Sequence, residues 1–158
     1  RYDVPGYGYQ LVSGETSLAE SWQSKDYLSH NHCMLGHLYS WLFSGIGGIS
    51  QTPSSVAYRE IVIDPQVVGD IREARTSFRS PYGLVRSEWR SGKDEYRQSV
   101  EIPANTTALV CLPTDDPSAV LESGLPLGER KEIAVEKREK GRLVLRVGSG
   151  SYDFRVKR

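Results

Sequence analysis

The spacing of hydrophobic and polar positions changes its period near residue 51. Before that point, Leu35, Leu38 and Leu42 recur at the three-to-four spacing of one helical face. After it, apolar and polar residues alternate, which is typical of strands that bury one face. The change of period predicts two parts, residues 1–50 and residues 51–158.

The first part contains one predicted helix, Asn31–Phe43. Ser29 or Asn31 can cap its first turn, and Gly45 ends it. Apolar side chains lie on nearly all sides of this helix, so it needs packing partners on several faces. Residues 1–30 show no sustained period and are predicted to form an ordered loop.

The second part is predicted to be mainly β, an antiparallel β-sandwich of short alternating strands separated by proline- and glycine-containing turns. Its clearest strand pair is the last one. Residues 143–147 and 152–156 alternate on either side of Gly148-Ser149-Gly150, and we expect them to form a hairpin. The other predicted strands, which follow a linker at Gln51–Ser55, are Glu60–Ile63, Arg72–Ser80, Leu84–Arg90, Tyr96–Ile102, Thr107–Leu112, a short strand near Val120, and Glu132–Glu136.

Composition restricts the classes of partner. The chain has 158 residues, of which 38% are hydrophobic and 25% charged, as in an ordinary globular domain. Its 20 basic residues balance its 20 acidic ones, so no net charge attracts nucleic acid or an anionic membrane. No apolar run approaches the length of a membrane span. We therefore expect no nucleic-acid and no membrane partner.

The chain begins at Arg1 rather than at a methionine. We expect it to be part of a longer protein, so the missing signal peptide says nothing about its compartment. Cys33 lies in the predicted helix and Cys111 in a predicted strand, and both are expected to be buried free thiols. Trp41 and Trp89 are expected to pack in the interior.

Candidate chemistry is concentrated between residues 14 and 32. Glu20 can take or give a proton, Trp22 offers an apolar face to a pyranose ring, and His32 can hydrogen-bond hydroxyl groups. Together these side chains have the composition of a sugar-cleaving site. The alternative interpretation is a surface glutamate beside a core aromatic, with His32 bonding nearby backbone at the start of the helix.

The other histidines are assigned structural roles. His30, His32, Cys33 and His37 cluster in the sequence. However, His32 and His37 are five residues apart rather than the four that share a helix face, so no metal site is predicted. No glycine-rich phosphate loop follows a strand, and no cofactor is predicted.

These motifs resemble, in their order and spacing, the C-terminal end of bacterial α-L-rhamnosidases. In that family a loop of the form Gly-x-Thr-Thr-x-Trp-Glu-x-Trp precedes Asn-His, which opens the last helix of an (α/α)6 barrel, and a small β-sandwich follows. Here the loop is Gly14–Trp22, and the helix opens at Asn31-His32. The sandwich carries similar stretches at Ile61–Gln66, Ser80–Gly83 with Ser87 and Trp89 beyond it, and Ile102–Thr107.

The resemblance implies that Glu20 is the general base of an inverting glycosidase and that Trp22 and His32 border the rhamnose pocket. The implied substrate is a rhamnosylated glycoside or polysaccharide. The implied structural partner is the upstream barrel, which would carry the general acid. Two positions depart from the family pattern: Ala19 replaces the first tryptophan, and Ser21 stands where a basic residue is common. These departures imply a shifted substrate preference or a degenerate site.

Two other hypotheses belong to different classes. A carbohydrate-binding module, with the helix as a mere linker, should expose a coplanar set of aromatic side chains on one sheet face; the sandwich aromatics are instead scattered in the sequence. A purely structural cap would stabilise a barrel, its activity lost through Ala19 and Ser21.

Overall fold

The computed structural model describes residues 1–158 and divides into two compact units, Arg1–Leu42 and Phe43–Arg158. None of its helices has the length and apolar composition needed to cross a bilayer. The helical segments are α1 (Tyr7–Val12), a 3-10 turn (Met34–Gly36), α2 (His37–Trp41), a π-helical turn (Leu42–Ile46), and 3-10 turns at Pro117–Ala119 and Leu127–Glu129. The strands are β1 (Ile49–Gln51), β2 (Glu60–Ile63), β3 (Glu73–Ser80), β4 (Gly83–Ser91), β5 (Glu95–Ile102), β6 (Thr107–Leu112), β7 (Val120–Glu122), β8 (Leu125–Pro126), β9 (Ala134–Glu139), β10 (Arg142–Val147) and β11 (Gly150–Lys157).

The predicted helix Asn31–Phe43 exists as three short pieces rather than one. A 3-10 turn begins at Met34, α2 follows, and a π-helical turn ends at Ile46. Neither this 3-10 turn nor α2 has a side-chain cap from the residue before it. Gly36, where the two segments meet, also weakens the preference for helix. The predicted caps at Ser29 and Asn31 are wrong, because the helical segment begins later than the apolar spacing indicates.

The first thirty residues are not all loop. They contain α1, which the absence of sustained periodicity does not predict. Tyr7 and Gln10 lie three residues apart and so share one face of this helix. Gln10 is the buried residue of α1, while Leu11 is 71% exposed. Because the buried position is polar, hydrophobic spacing gives no helical signal here.

The second unit is a two-sheet sandwich, as predicted. The five-stranded sheet has the order β1-β2-β6-β10-β9, and the six-stranded sheet has the order β3-β4-β5-β11-β7-β8. All paired strands are antiparallel except β2 and β6, which are parallel. The predicted linker Gln51–Ser55 begins inside a strand, since Gln51 is paired with Ile61.

The expected hairpin between the last two strands is wrong. Strand β10 pairs with β6 and β9, whereas β11 pairs with β5 and β7, so the two strands lie in different sheets. Their inward side chains face each other across the core: Leu143, Leu145 and Val147 from β10, and Phe154 and Val156 from β11. Alternation specifies which face of a strand is buried, but it does not specify which strand is its neighbour.

The tryptophans and cysteines differ from expectation in the first unit only. Trp89 is buried, stacks on Tyr96 with ring centroids 6.4 Å apart, and donates its Nε1–H to the Ile46 carbonyl at 2.8 Å. Its packing role is therefore confirmed. Trp41 is 47% exposed and the free thiol of Cys33 is exposed, so both were wrongly expected to be buried.

Gly48 fixes the entry of the chain into the sandwich. Its φ of +75° is in the left-handed region, and a Cβ there would lie 2.3 Å from the backbone nitrogen of Pro65. The Gly48 carbonyl accepts a hydrogen bond from the Asp64 N–H at 2.8 Å. Only glycine allows this close approach of two backbone segments.

Candidate functional site

Two segments of the first unit lie side by side and bring the predicted site residues together. The segment Gly14–Trp22, here called the glutamate loop, runs next to residues 29–32. Glu20 N–H donates to the Ser29 carbonyl at 2.8 Å, and His32 N–H donates to the Leu18 carbonyl at 2.8 Å. These two backbone bonds place Glu20 and His32 on neighbouring stretches of chain.

The Glu20 carboxylate is half-buried and held at one oxygen only. Its Oε2 accepts a hydrogen bond from the Ser29 N–H at 3.1 Å. Its Oε1 accepts no hydrogen bond from the chain. A carboxylate with one oxygen fixed by backbone and the other open keeps a defined direction and can still accept a proton.

Gln10 forms hydrogen bonds with the residues before and after Glu20 in the sequence. Its side-chain Oε1 accepts from the Ala19 N–H at 3.3 Å, and its Nε2 donates to the Ser21 carbonyl at 3.2 Å. Ala19 is fully buried. Sequence reasoning missed Gln10, because α1 buries a polar side chain and so shows no hydrophobic spacing that would mark this position.

Trp22 is supported from behind by a tyrosine. Its ring meets the ring of Tyr7 edge to face, with centroids 4.9 Å apart and an interplanar angle of 80°. The Tyr7 hydroxyl in turn donates to the Leu35 carbonyl at 2.7 Å. Trp22 is half-buried, so part of its surface remains available for a ligand.

His32 is fixed in one tautomer by the start of the helical segment. Its Nδ1 accepts a hydrogen bond from the Met34 N–H at 3.1 Å. The neutral ring therefore carries its proton on Nε2, and this N–H can donate to a hydroxyl group. The imidazole therefore bonds nearby backbone, one of the two roles that the sequence left open, while a contact of His32 with a sugar stays a prediction.

The other two histidines make local contacts. His30 Nδ1 lies 2.8 Å from an oxygen of Glu15, whose side chain is only 9% exposed, and the His30 carbonyl accepts a hydrogen bond from the Ser17 hydroxyl. His37 Nδ1 donates to the Met34 carbonyl at 3.2 Å. The sequence indicates no partner for Glu15; the structure shows that it ties the start of the glutamate loop to residue 30.

A charged cluster also lies within the second unit. Arg142 pairs with Asp64 at 2.8 Å, and its Nη2 donates to the Cys111 sulfur at 3.1 Å. Burial raises the pKa of the Cys111 thiol. A buried thiol held in its protonated form is inert, so this cluster is structural.

The sheet faces carry no aromatic platform. Tyr82, in the turn between β3 and β4, is the one exposed aromatic side chain of the second unit, whereas Trp89 and Tyr96 are buried. The outer face of the six-stranded sheet is instead covered by cross-strand and same-strand ion pairs, which are Arg90–Glu73, Arg75–Glu88, Arg86–Glu101 and Arg97–Glu95.

Two family models match the chain in succession. Residues 1–46 match the bacterial alpha-L-rhamnosidase 6 hairpin glycosidase domain, and residues 48–124 match the bacterial alpha-L-rhamnosidase C-terminal domain.

Individual proteins show the same similarity. The chain is 31% identical to an alpha-L-rhamnosidase of Streptomyces avermitilis over 96% of its own length, and 27% identical to one of Formosa agariphila over 97%. It covers 15% and 17% of these relatives, so it spans about one sixth of their length.

Among solved structures, the S. avermitilis alpha-L-rhamnosidase complexed with L-rhamnose superposes on 99% of the chain with a TM-score of 0.85 at 30% identity. The alpha-L-rhamnosidase of Dictyoglumus thermophilum superposes on 100% with a TM-score of 0.86 at 29% identity. The chain covers 15% and 18% of these two structures.

Proposed function

Because the chain belongs to the bacterial α-L-rhamnosidase family, as its C-terminal part, we propose that the protein containing it hydrolyses terminal α-L-rhamnosyl residues with inversion. In this proposal residues 1–50 end the catalytic barrel and residues 51–158 form an accessory sandwich. The substrate is a rhamnosylated glycoside or polysaccharide.

Glu20 acts as the general base. Its carboxylate takes a proton from a water molecule while the water oxygen attacks the anomeric carbon, on the face opposite the leaving group. A second carboxyl group, supplied by another part of the protein, gives its proton to the departing glycosidic oxygen. The two carboxyl groups of such a pair stand roughly 6.5–9.5 Å apart, because the water must fit between the base and the sugar.

The observation that carries this assignment is the environment of the Glu20 carboxylate. One oxygen is fixed by the Ser29 N–H at 3.1 Å, and the other is open. The other carboxylates of the first unit are less suited to the role. Asp3 is ion-paired with Arg1, Glu15 is paired with His30, and Asp26 is exposed on a turn.

Trp22 and His32 bind the sugar. The exposed part of the Trp22 ring, with Tyr7 behind it, offers an apolar surface to the C–H groups of a pyranose. The Nε2–H of His32 donates to a sugar hydroxyl, since Nδ1 is already occupied by Met34.

The exposed apolar side chains of the first unit are evidence that it packs against other parts of a barrel. Tyr2, Leu11, Tyr27 and Tyr39 are each more than 70% exposed, although they lie within a stretch of only forty-two residues. Exposed apolar surface of this density is a feature of interfaces. We propose that preceding segments of the longer protein cover it and supply the general acid.

The two alternative functions receive less support. A carbohydrate-binding module needs an exposed aromatic platform, and the sandwich exposes a single aromatic residue, Tyr82. A degenerate cap is disfavoured by the ordered surroundings of Glu20. Ala19, which replaces the family tryptophan, is fully buried and packs as part of the loop support.

The stereochemistry of the first product tests the proposed reaction. A full-length protein that contains this chain is mixed with an aryl α-L-rhamnoside, and the anomeric proton of free rhamnose is followed by NMR before mutarotation. The β anomer should appear first. Early appearance of the α anomer would show retention and overturn the inverting mechanism. If no rhamnose is released, the proposed hydrolytic activity is wrong.

A further inference from the structure

Gln10 is the one buried polar residue of the first unit, with 3% of its surface exposed. An amide removed from water without partners costs about 1–3 kcal/mol by mutational estimates. Gln10 avoids this cost by bonding only to the glutamate loop. Both hydrogen bonds of the Gln10 side chain therefore go to the glutamate loop and to no other part of the first unit.

We propose that Gln10 is a positioning residue for the catalytic base, an inference that rests on the proposed role of Glu20. The Gln10 amide accepts from the Ala19 N–H at 3.3 Å and donates to the Ser21 carbonyl at 3.2 Å. These are the residues directly before and after Glu20. Because one planar amide holds both, the backbone of Glu20 cannot turn without breaking a bond to Gln10.

The opposite side of Glu20 is held by Ser29. The Glu20 N–H donates to the Ser29 carbonyl at 2.8 Å, and the Ser29 N–H donates to the carboxylate Oε2 at 3.1 Å. Ser29 thus restrains the carboxylate itself, while Gln10 restrains the backbone from which the side chain extends. The direction of the open Oε1 depends on both.

The backbone of Gln10 adds a third connection. Its carbonyl accepts a hydrogen bond from the Glu15 N–H at 3.0 Å. The loop is consequently tied to a single residue of α1 at residues 15, 19 and 21. A movement of α1 would be transmitted directly to Glu20.

The bonding pattern requires glutamine in particular. One partner is a donor and the other an acceptor, so the side chain must present both a C=O and an N–H at the same depth. Methionine has nearly the same length but offers neither group. Glutamate would place a carboxylate oxygen against the Ser21 carbonyl.

The test uses steady-state kinetics on a full-length α-L-rhamnosidase that contains this chain, with an aryl α-L-rhamnoside. Gln10→Met should lower kcat about 10- to 100-fold, because misplacing a catalytic group by about 1 Å costs up to 10²-fold. KM should change less than about threefold, since the buried Gln10 side chain leaves almost no surface to which a sugar could bind. The matched control is Gln23→Met, at an exposed glutamine of the next turn without a side-chain hydrogen bond, which should leave both constants unchanged.

A double mutant separates positioning from stability. If Gln10 acts through Glu20, adding Gln10→Met to Glu20→Gln should lower kcat no further, because the base is already gone. The same loss in both backgrounds would overturn the inference, as would a kcat of Gln10→Met within twofold of wild type. A Glu20→Gln variant that stays active would refute the proposed function instead. If Gln10→Met does not fold, Gln10→Asn keeps both polar groups one methylene shorter and should show the same selective loss of kcat; an unchanged kcat there would also overturn the inference.

Discussion

At the scale of single residues, Glu20 and Trp22 are two residues apart but are held in different ways. Glu20 is fixed by hydrogen bonds to backbone, whereas Trp22 is fixed by the edge of the Tyr7 ring, 4.9 Å away. Hydrogen bonds set the direction of a proton acceptor. Ring packing sets the plane of a surface on which a sugar can lie. The two residues should therefore respond differently to substitution.

Trp22→Ala in the full-length protein should weaken binding more than turnover. Loss of an aromatic contact of about 0.5–1.5 kcal/mol corresponds to a KM raised roughly 2- to 10-fold, while kcat changes less. Steady-state kinetics on an aryl rhamnoside measures both constants. Trp22→Phe, which keeps a ring against Tyr7, is the control and should lie near wild type. A kcat that falls more than KM rises would contradict a binding role.

The buried ion pair of Glu122 and Arg130 is expected to affect the stability of the sandwich and not the proposed reaction. Glu122 is 1% exposed, and its Oε2 forms an ion pair with Arg130 Nη2 at 2.8 Å. Its Oε1 accepts from the Ser123 hydroxyl at 2.7 Å. Arg130→Met would leave the Glu122 carboxylate buried without its counter-charge.

Arg130→Met should lower the free energy of unfolding by about 3 kcal/mol, the low end of the range for breaking a buried pair, because Arg130 is partly exposed. The exposed pair of Arg90 and Glu73 provides the comparison, and Arg90→Met should cost less than about 1 kcal/mol. Urea unfolding measures both. Equal losses for the two variants would show that burial of Glu122 does not decide the effect.

The site residues predicted from the sequence, whose roles stay predictions, are those whose chemistry is unusual for their position. Glu20, Trp22 and His32 stand out in a loop motif, and the structure brings the segments of Glu20 and His32 side by side. Gln10 could not be found in this way. Its proposed role depends on which backbone groups surround its amide, and that information exists only after the chain has folded.

At the scale of elements, the two units differ in how their backbone is held. The first unit contains only short helical segments, α1, α2 and a 3-10 turn among them, whereas the second is built from eleven paired strands. Helical segments of about one turn have little stability of their own.

Amide exchange should reveal this difference in the isolated chain. Residues 1–42, the first unit, should exchange their amide hydrogens much faster than the central strands β4, β5 and β11, because their helices are short and their apolar side chains are exposed. Hydrogen exchange followed by mass spectrometry or NMR measures the rates. Uniform protection across both regions would contradict the expectation.

The strands show where sequence prediction stops at this scale. Strands such as β2 and β6 are predicted to the residue, because alternation and turn residues mark their ends. The pairing of the strands is not predicted from the sequence. Strands β2 and β6 pair in parallel, and β10 and β11 belong to different sheets. Two consecutive strands bury the same alternating side chains whether they pair in one sheet as a hairpin or lie in two facing sheets, as β10 and β11 do. Contacts between residues distant in sequence decide between the two arrangements.

At the scale of the whole molecule, the chain is about one sixth of the relatives that it matches. Its family was predictable because several motifs occur in the correct order, each too weak alone. The division between barrel end and sandwich near residue 50 stays a prediction. The compact units divide at Leu42 and Phe43, and the two family models meet between residues 46 and 48.

The isolated chain should not hydrolyse aryl α-L-rhamnosides. An inverting reaction needs an acid and a base, and in the first unit only Glu20 has the surroundings of either. Release of the aryl group, measured by absorbance, should equal the rate in buffer. The isolated chain with Glu20→Gln is the control. Hydrolysis that this substitution removes would show that the chain carries a complete site.

The most direct test of the proposed function is the turnover of Glu20→Gln in a full-length protein that contains this chain. The substitution keeps the size of the side chain and removes the proton acceptor. Turnover should fall by 10²- to 10⁴-fold, about 3 to 5 kcal/mol of barrier, with a much smaller change in KM. Asp26→Asn, at an exposed carboxylate six residues later, is the matched control and should retain wild-type rates. A Glu20→Gln enzyme that keeps more than about a tenth of wild-type turnover, well short of the loss typical of a general base, would show that the base lies elsewhere.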